Sequence, residues 1–433
     1  MVRQVVVALC VLLSFFSAAH SFVSTSCQNK FKCWRSAGII LTALSAADDD
    51  SNDIDQLFLP RNGSTCALVS RRSFITWSDA TLSALFFYPH VTTSSASAAA
   101  DIIAAQTITR PSITIPLQFE PKLSSYTVFY VVGGTKFGAI VDTGSPFLVV
   151  PQTSCMPDYK WGCYRPDESH PAPGLDPTYE RFVGNEGLVE WREGRFSFPD
   201  SISSVSNFAL LFPQSSSMTF GVVSESLLDG TGGLFLGLVK ETNSWIRPSF
   251  LGQSDVQAFS VDLREREGYE KSLTLYGGRQ PSLLVESAYS NNAIQLVRDL
   301  NKNYGDATIH YVGVASSLNV NGYNLASSSR RNKIYVIFDT GCSGMSISTS
   351  LFNKRYSIAR ERRENNLWGN VDVEFNTISG GEVSLSAKRP ITTTLDDQPW
   401  GKKLDGYLVV LGLAFLDGRK MTVDIENEKI WFD

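Results

Sequence analysis

The chain has 433 residues, 43% of them hydrophobic and 19% charged, and a formal net charge of −5. That length and balance describe a folded protein with room for two lobes of ordinary size, and exclude a disordered chain. The acidic balance argues against a nucleic-acid partner, whose phosphates need clustered Lys and Arg.

Residues 1–21 read as a signal peptide. Arg3 supplies the basic start, Val5 to Phe16 is mostly apolar, and Ala19-His20-Ser21 fits a small-x-small cleavage site. Residues 22–111 are expected to be a prosegment. Its first stretch, Phe22 to Ala47, carries Lys30, Lys32 and Arg35, many Ser and Thr, and no Asp or Glu, a composition like an organelle transit peptide. The expected address is therefore the secretory or endomembrane pathway, secreted or vacuolar. The alternative is a complex plastid, reached by signal plus transit peptide.

From Asp48 to about Ala105, "DDDSNDID" and "TTSSASAAAD" read as linker or loosely folded prosegment. Asn62-Gly63-Ser64 is an acceptable N-glycosylation site, and Arg71-Arg72 reads either as a processing site or as solvated surface. No later run of eighteen apolar residues occurs, so the mature chain is expected neither to span a membrane nor to carry a C-terminal anchor.

Character changes near Ser112. "SITIPLQFE" and "YTVFYVV" alternate apolar and polar residues, Gly133-Gly134 reads as a hairpin turn, and "KFGAIV" continues as a strand. Short strands broken by Gly, Pro, Ser and Asn run on to the C-terminus. Helical patterning is convincing only over Asn291 to Asn303, so the mature chain is expected to be mainly β.

Of seven cysteines, Cys10 leaves with the signal; Cys27, Cys33, Cys66, Cys155, Cys163 and Cys342 remain. There is no C-x-x-C pair and there are only four His, so neither a metal nor another cofactor is expected. "GTGGLFLG" lacks the third glycine of a dinucleotide loop, Phe235 standing in its place.

An internal repeat is visible. "GAIVDTGSPFLVV" around Asp142 matches "IYVIFDTGCSGMSI" around Asp339. Each copy is followed by an apolar run ending at a glycine, Gly237 in "GGLFLGL" and Gly412 in "YLVVLGLAF", 95 and 73 residues after its aspartate. Two aspartates, each past a strand and on a Gly-containing turn, suggest two lobes offering one carboxylate each to a shared cleft. Two such carboxylates cannot both ionise easily, so the pair holds one proton and contains both a base and an acid. The ionised member can take a proton from water while the protonated one polarises a carbonyl, which is amide hydrolysis without metal or covalent intermediate. Gly144 and Gly341 allow the tight turns, and Thr143 and Thr340 can bond across the junction.

With these motifs the stretch from Ser112 to Asp433 resembles the pepsin family of aspartic endopeptidases. "SLTLYGG", "HYVGVASSLNVNG" and "MTVDIENEKIWF" resemble that family's junction strand, second-lobe hairpin and closing strands. The resemblance implies a mainly β, bilobal fold of two related barrel-like lobes, 112–280 and 281–433, with the active site between them. It implies a catalytic dyad of Asp142 and Asp339, an inter-lobe grip of Thr143 and Thr340, and support of Asp142 by Ser145. It further implies a small disulfide between Cys155 and Cys163, an extended polypeptide substrate and a monomer.

Two departures stand out. Cys342 occupies the second position where the family usually places Ser or Thr, and a thiol is a weak donor. Losing a donor to a carboxylate raises its pKa, so a less acid-tuned and slower dyad is expected. The flap Tyr of the family corresponds to Trp191, three residues before Gly194, and its partner Trp to Val149, so a flap closed by apolar packing is expected. These departures keep open a catalytically weak pepsin-like protein that serves as a binding or inhibitory module. A purely structural β-rich surface protein fits the repeated motif poorly. Cys342 itself reads as a reduced, buried thiol; a reactive thiol and a disulfide to Cys66 are the other readings.

Overall fold

Alternation of apolar and polar residues gives strands with one buried face, and the strand Ser112–Pro116 shows it plainly. Ile113 and Ile115 are fully buried and sit opposite Leu275 and Leu273 of the antiparallel strand Ser272–Gly277. The computed structural model describes residues 111–151, 161–162, 164, 166–182, 185–202, 205–223, 234–241, 248–277 and 292–433. All the described residues belong to one unit of the chain.

The described residues are mainly β and form several sheets. A six-stranded sheet runs in the order Ser112–Pro116, Ser272–Gly277, Val256–Asp262, Lys420–Asp424, Lys429–Phe432, Ile294–Gln295. It therefore draws strands from the start, middle and end of the described chain. Two further sheets come from its first half. In one, Leu234–Gly237, Thr135–Asp142, Ser125–Val132 and Gln118–Glu120 lie side by side; in the other, Val149–Pro151, Met218–Val223, Asn185–Gly194 and Ser169–Pro171. The second half supplies a five-stranded sheet centred on Lys333–Phe338, Gly406–Leu411 and Met345–Ser348, and a four-stranded one.

Turn chemistry behaves as the sequence suggests. Gly133 and Gly134 have φ of 53° and 73° between the paired residues Val132 and Thr135. Asn321 and Gly322, φ 52° and 74°, close the hairpin of Ser317–Val320 with Tyr323–Ser327.

Helices differ from expectation. In the described part of Asn291 to Asn303, Ile294–Gln295 is a strand paired with Ile430 and Lys429, and the chain coils through Leu300–Tyr304 as a short π turn. Tertiary pairing has overridden local pattern there. The longest helix among the described residues, Thr349–Arg362, was not signalled by sequence because its inward stripe reads Leu351, Arg355, Ala359. Arg355 is fully buried; it donates through Nε to Leu367 O at 2.7 Å and is paired with Glu364. A charge in the inward stripe removes the amphipathic signature that marks a helix.

No helix among the described residues is long and apolar enough to cross a membrane. The boundary expected at residue 280 falls in 278–291, outside the described residues, as do the signal peptide, the prosegment with its Asn62 and Arg71-Arg72, and the first five cysteines up to Cys155.

Candidate active site

The two repeated motifs fold alike. Strand Thr135–Asp142 pairs in parallel with Leu234–Gly237, so that Asp142 lies opposite Gly237. Strand Lys333–Phe338 pairs in parallel with Gly406–Leu411, and the Asp339 N–H donates to Leu411 O at 3.0 Å, one residue before Gly412. Each glycine then donates its N–H at 2.8 Å to a carbonyl five residues beyond its aspartate, Gly237 to Phe147 and Gly412 to Gly344.

These glycines are required by space. A Cβ on Gly237 would fall 2.6 Å from the Pro146 carbonyl carbon, and one on Gly412 would fall 2.6 Å from the carbonyl carbon of Cys342. Gly412 has φ −98° and ψ −162°, open to any residue, so backbone contact alone excludes a side chain. Gly412→Ala is expected to destabilise the protein by about 3 kcal/mol, the upper range for forced overpacking. Urea unfolding measures this, and a change under about 1 kcal/mol would mean that the loop yields freely.

The two turns meet tip to tip. The Thr143 hydroxyl donates to Phe338 O at 2.8 Å, and the Thr340 hydroxyl donates to Val141 O at 2.7 Å. Each hydroxyl also accepts from the other threonine's backbone, Thr340 N–H to Thr143 Oγ1 at 3.0 Å and Thr143 N–H to Thr340 Oγ1 at 3.2 Å. Both threonines are buried. The accepting carbonyls belong to Val141 and Phe338, apolar residues whose side chains give no hint of that role.

Beside this grip lie the carboxyls. Gly144 N–H donates to Asp142 Oδ1 at 2.7 Å and Gly341 N–H to Asp339 Oδ1 at 2.8 Å. Each motif glycine packs against the opposite aspartate: a Cβ on Gly144 would fall 2.7 Å from Asp339 Cγ, and one on Gly341 would fall 2.6 Å from Asp142 Oδ1. Only glycine lets the two carboxyls come this close, and they hydrogen-bond one another. Burial raises the pKa of Asp339 well above the usual carboxyl range. The Asp142 charge and the bond between the two carboxyls raise it further, against the opposing backbone N–H groups of Gly341 and Cys342.

Cys342 is a free thiol, 2% exposed. Burial first, and then the Asp339 charge, push its pKa well up, while the Gly344 N–H pulls it down. That environment keeps it a thiol and disfavours the reactive reading. Ser145, expected to support Asp142, has a buried hydroxyl with no hydrogen-bond partner. Among the described residues neither carboxyl thus receives a side-chain hydroxyl; their donors there are backbone N–H groups and each other.

Trp191 lies inside the strand Asn185–Gly194 and Gly194 ends it, so neither sits at the hairpin turn. The chain reverses between the paired residues Phe182 and Asn185, where Gly184-Asn185 in the sequence was the signal overlooked. Trp191 is 3% exposed; its indole N–H donates to Thr178 Oγ1 at 3.0 Å and its ring packs 5.8 Å from Phe147. Trp191 and Val149 pack in one apolar cluster on either side of Gly221, whose missing side chain makes room for both. Trp191 therefore braces the hairpin against the loop after Asp142. Cys155 and Cys163 lie outside the described residues, as does any bond between them.

No group of three or more His, Cys, Asp or Glu among the described residues could hold a metal ion. No protein-family model matches the chain, and no curated protein matches it.

Proposed function

We propose that the chain is an aspartic endopeptidase of bilobal, pepsin-like design, with residues 112–280 and 281–433 as its lobes. The observation that carries this reading is the pair of mutually gripped Asp-Thr-Gly turns, with each glycine seated on the other turn's carboxyl. Such closeness is costly for two acids unless they share a proton, and the raised pKa of Asp339 favours placing that proton there. Asp142 then takes a proton from a water held between the carboxyls, while Asp339 donates to the carbonyl oxygen of an extended polypeptide. The water oxygen bonds to the carbonyl carbon and the carbon–nitrogen bond breaks as the nitrogen is protonated. The N-terminal segment is read as a signal peptide and prosegment removed on the secretory route, or, in the alternative, on the way to a plastid.

A second reading is favoured by the missing hydroxyl donors at Ser145 and Cys342: a pepsin-like module that binds polypeptide without cutting it. The full chain, exposed to acid and assayed on unfolded polypeptide, separates the two. Internal cleavage is expected, blocked by a peptide bearing a tetrahedral hydroxyl isostere and lost in Asp142→Asn. A chain that binds the isostere peptide yet cuts nothing would favour the second reading, and cleavage surviving in Asp142→Asn would end the first.

A further inference from the structure

We infer that Tyr311 is a positioning residue that ties the Asp142 half of the site to the Asp339 half and so fixes the spacing at which the two carboxyls share a proton. The inference rests on the hydrolytic reading above.

Tyr311 is 6% exposed and precedes the strand Val312–Ala315, which pairs with Lys333–Phe338. Its carbonyl accepts the N–H of Phe338, the residue before Asp339, at 3.3 Å. Its phenol reaches the other motif, donating to Leu238 O at 2.6 Å and accepting from Lys240 N–H at 3.3 Å. Leu238 follows Gly237 and donates its own N–H to Asp142 O at 2.8 Å. One residue, through its backbone carbonyl on one side and its phenol on the other, thus reaches the neighbour or bonded partner of each aspartate. The threonine grip holds the tips of the two turns, whereas Tyr311 holds the strands behind them.

The anchor is firm. The Tyr311 ring packs 5.5 Å from Phe259 in the six-stranded sheet, and Lys240 Nζ donates to Val256 O at 2.5 Å in the same sheet. Burial pushes the phenol's pKa up, so it remains a donor through any working pH. The charged or titratable side chains near it are Lys240, Arg298, His310 and Glu428; those facing Asp339 are Asp142 and Cys342.

Tyr311→Phe keeps the ring and removes the bridge. Loosening the strands lets the carboxyls drift apart, which weakens the repulsion that raises Asp339. In the full chain, kcat is expected to fall about tenfold, the scale of one lost buried hydrogen bond, with KM changed by less than about twofold. The upper limb of the pH–rate profile should move to lower pH, and the amides of Thr143 and Thr340 should exchange faster. Tyr304→Phe is the matched control: its phenol donates to the Asp405 carboxylate and accepts the Asp405 N–H at 3.1 Å, outside both motifs, and its loss should lower stability but leave kcat and the profile alone. Tyr311→Phe with wild-type kcat and profile, or both variants losing kcat alike, would overturn the inference. Should the wild type cut nothing, the hydrolytic reading fails separately, and unchanged exchange at Thr143 and Thr340 would still overturn the coupling.

Discussion

Replacing Asp339 by Asn is expected to slow peptide cleavage by about 10³–10⁴-fold, near the upper range for losing a positioned acid–base group, while making the protein more stable near neutral pH. The two effects have one cause. Asp339 is half-buried and held against the Asp142 carboxyl, so its ionised form is penalised twice, by desolvation and by like charge. A carboxyl whose folded pKa is raised contributes its full stability below the ordinary carboxyl range. That contribution falls as pH rises from there through the folded value, because the unfolded chain releases the proton more readily. The asparagine amide cannot ionise and can still donate to Asp142, so the variant escapes this loss. Melting temperatures measured across pH should coincide at the acid end and diverge upward for the variant toward neutrality. A variant that melts lower at neutral pH would mean that the pair is not under electrostatic strain, and the proton would then need another home.

What was legible in the sequence was the chemistry that residue types alone encode. Asp, Thr and Gly recur in one order because a carboxyl, a small hydroxyl and an absent side chain are each needed where the turns meet, and the structure brings Asp142, Thr143, Gly144, Asp339, Thr340 and Gly341 together. Gly237 and Gly412 were legible for the same reason, since the backbone passes too close for a Cβ. The hairpin at Gly133-Gly134 and the alternating strands near Ser112 followed from turn chemistry and periodicity.

What stayed hidden depends on partners distant in sequence. Ile294–Gln295 pairs with Lys429 and Ile430 across more than a hundred residues, and no local pattern announces that. The helix Thr349–Arg362 hides because the buried Arg355 finds a partly exposed counter-charge in Glu364 and a carbonyl in Leu367. The roles of Val141 and Phe338 lie in their carbonyls, and that of Tyr311 lies in a hydroxyl reaching a backbone atom 73 positions earlier in the chain. Trp191 was legible as special, but its place was not. A large aromatic near a glycine fits a hairpin turn and a buried strand equally well until the pairing with Met218–Val223 is known.

Restoring a hydroxyl at position 342 is expected to have the second large effect. Cys342→Thr and Cys342→Ser each put a stronger donor where a weak one now stands, next to Gly341, whose N–H already bonds the Asp339 carboxyl. A hydrogen bond to the ionised carboxylate favours the charged form, so the Asp339 pKa should fall. Because Asp339 must be protonated to act as the acid, the upper limb of the pH–rate profile should move down with it. Turnover at acidic pH should rise, since the donor also fixes the carboxyl's orientation. Serine tests the hydroxyl in a smaller side chain, and threonine adds a methyl to a site that is 2% exposed. If serine moves the limb and threonine does not, crowding has cancelled the bond. If neither moves it, the outer oxygen of Asp339 is satisfied without position 342, and the cysteine is only a packed side chain beside the pair.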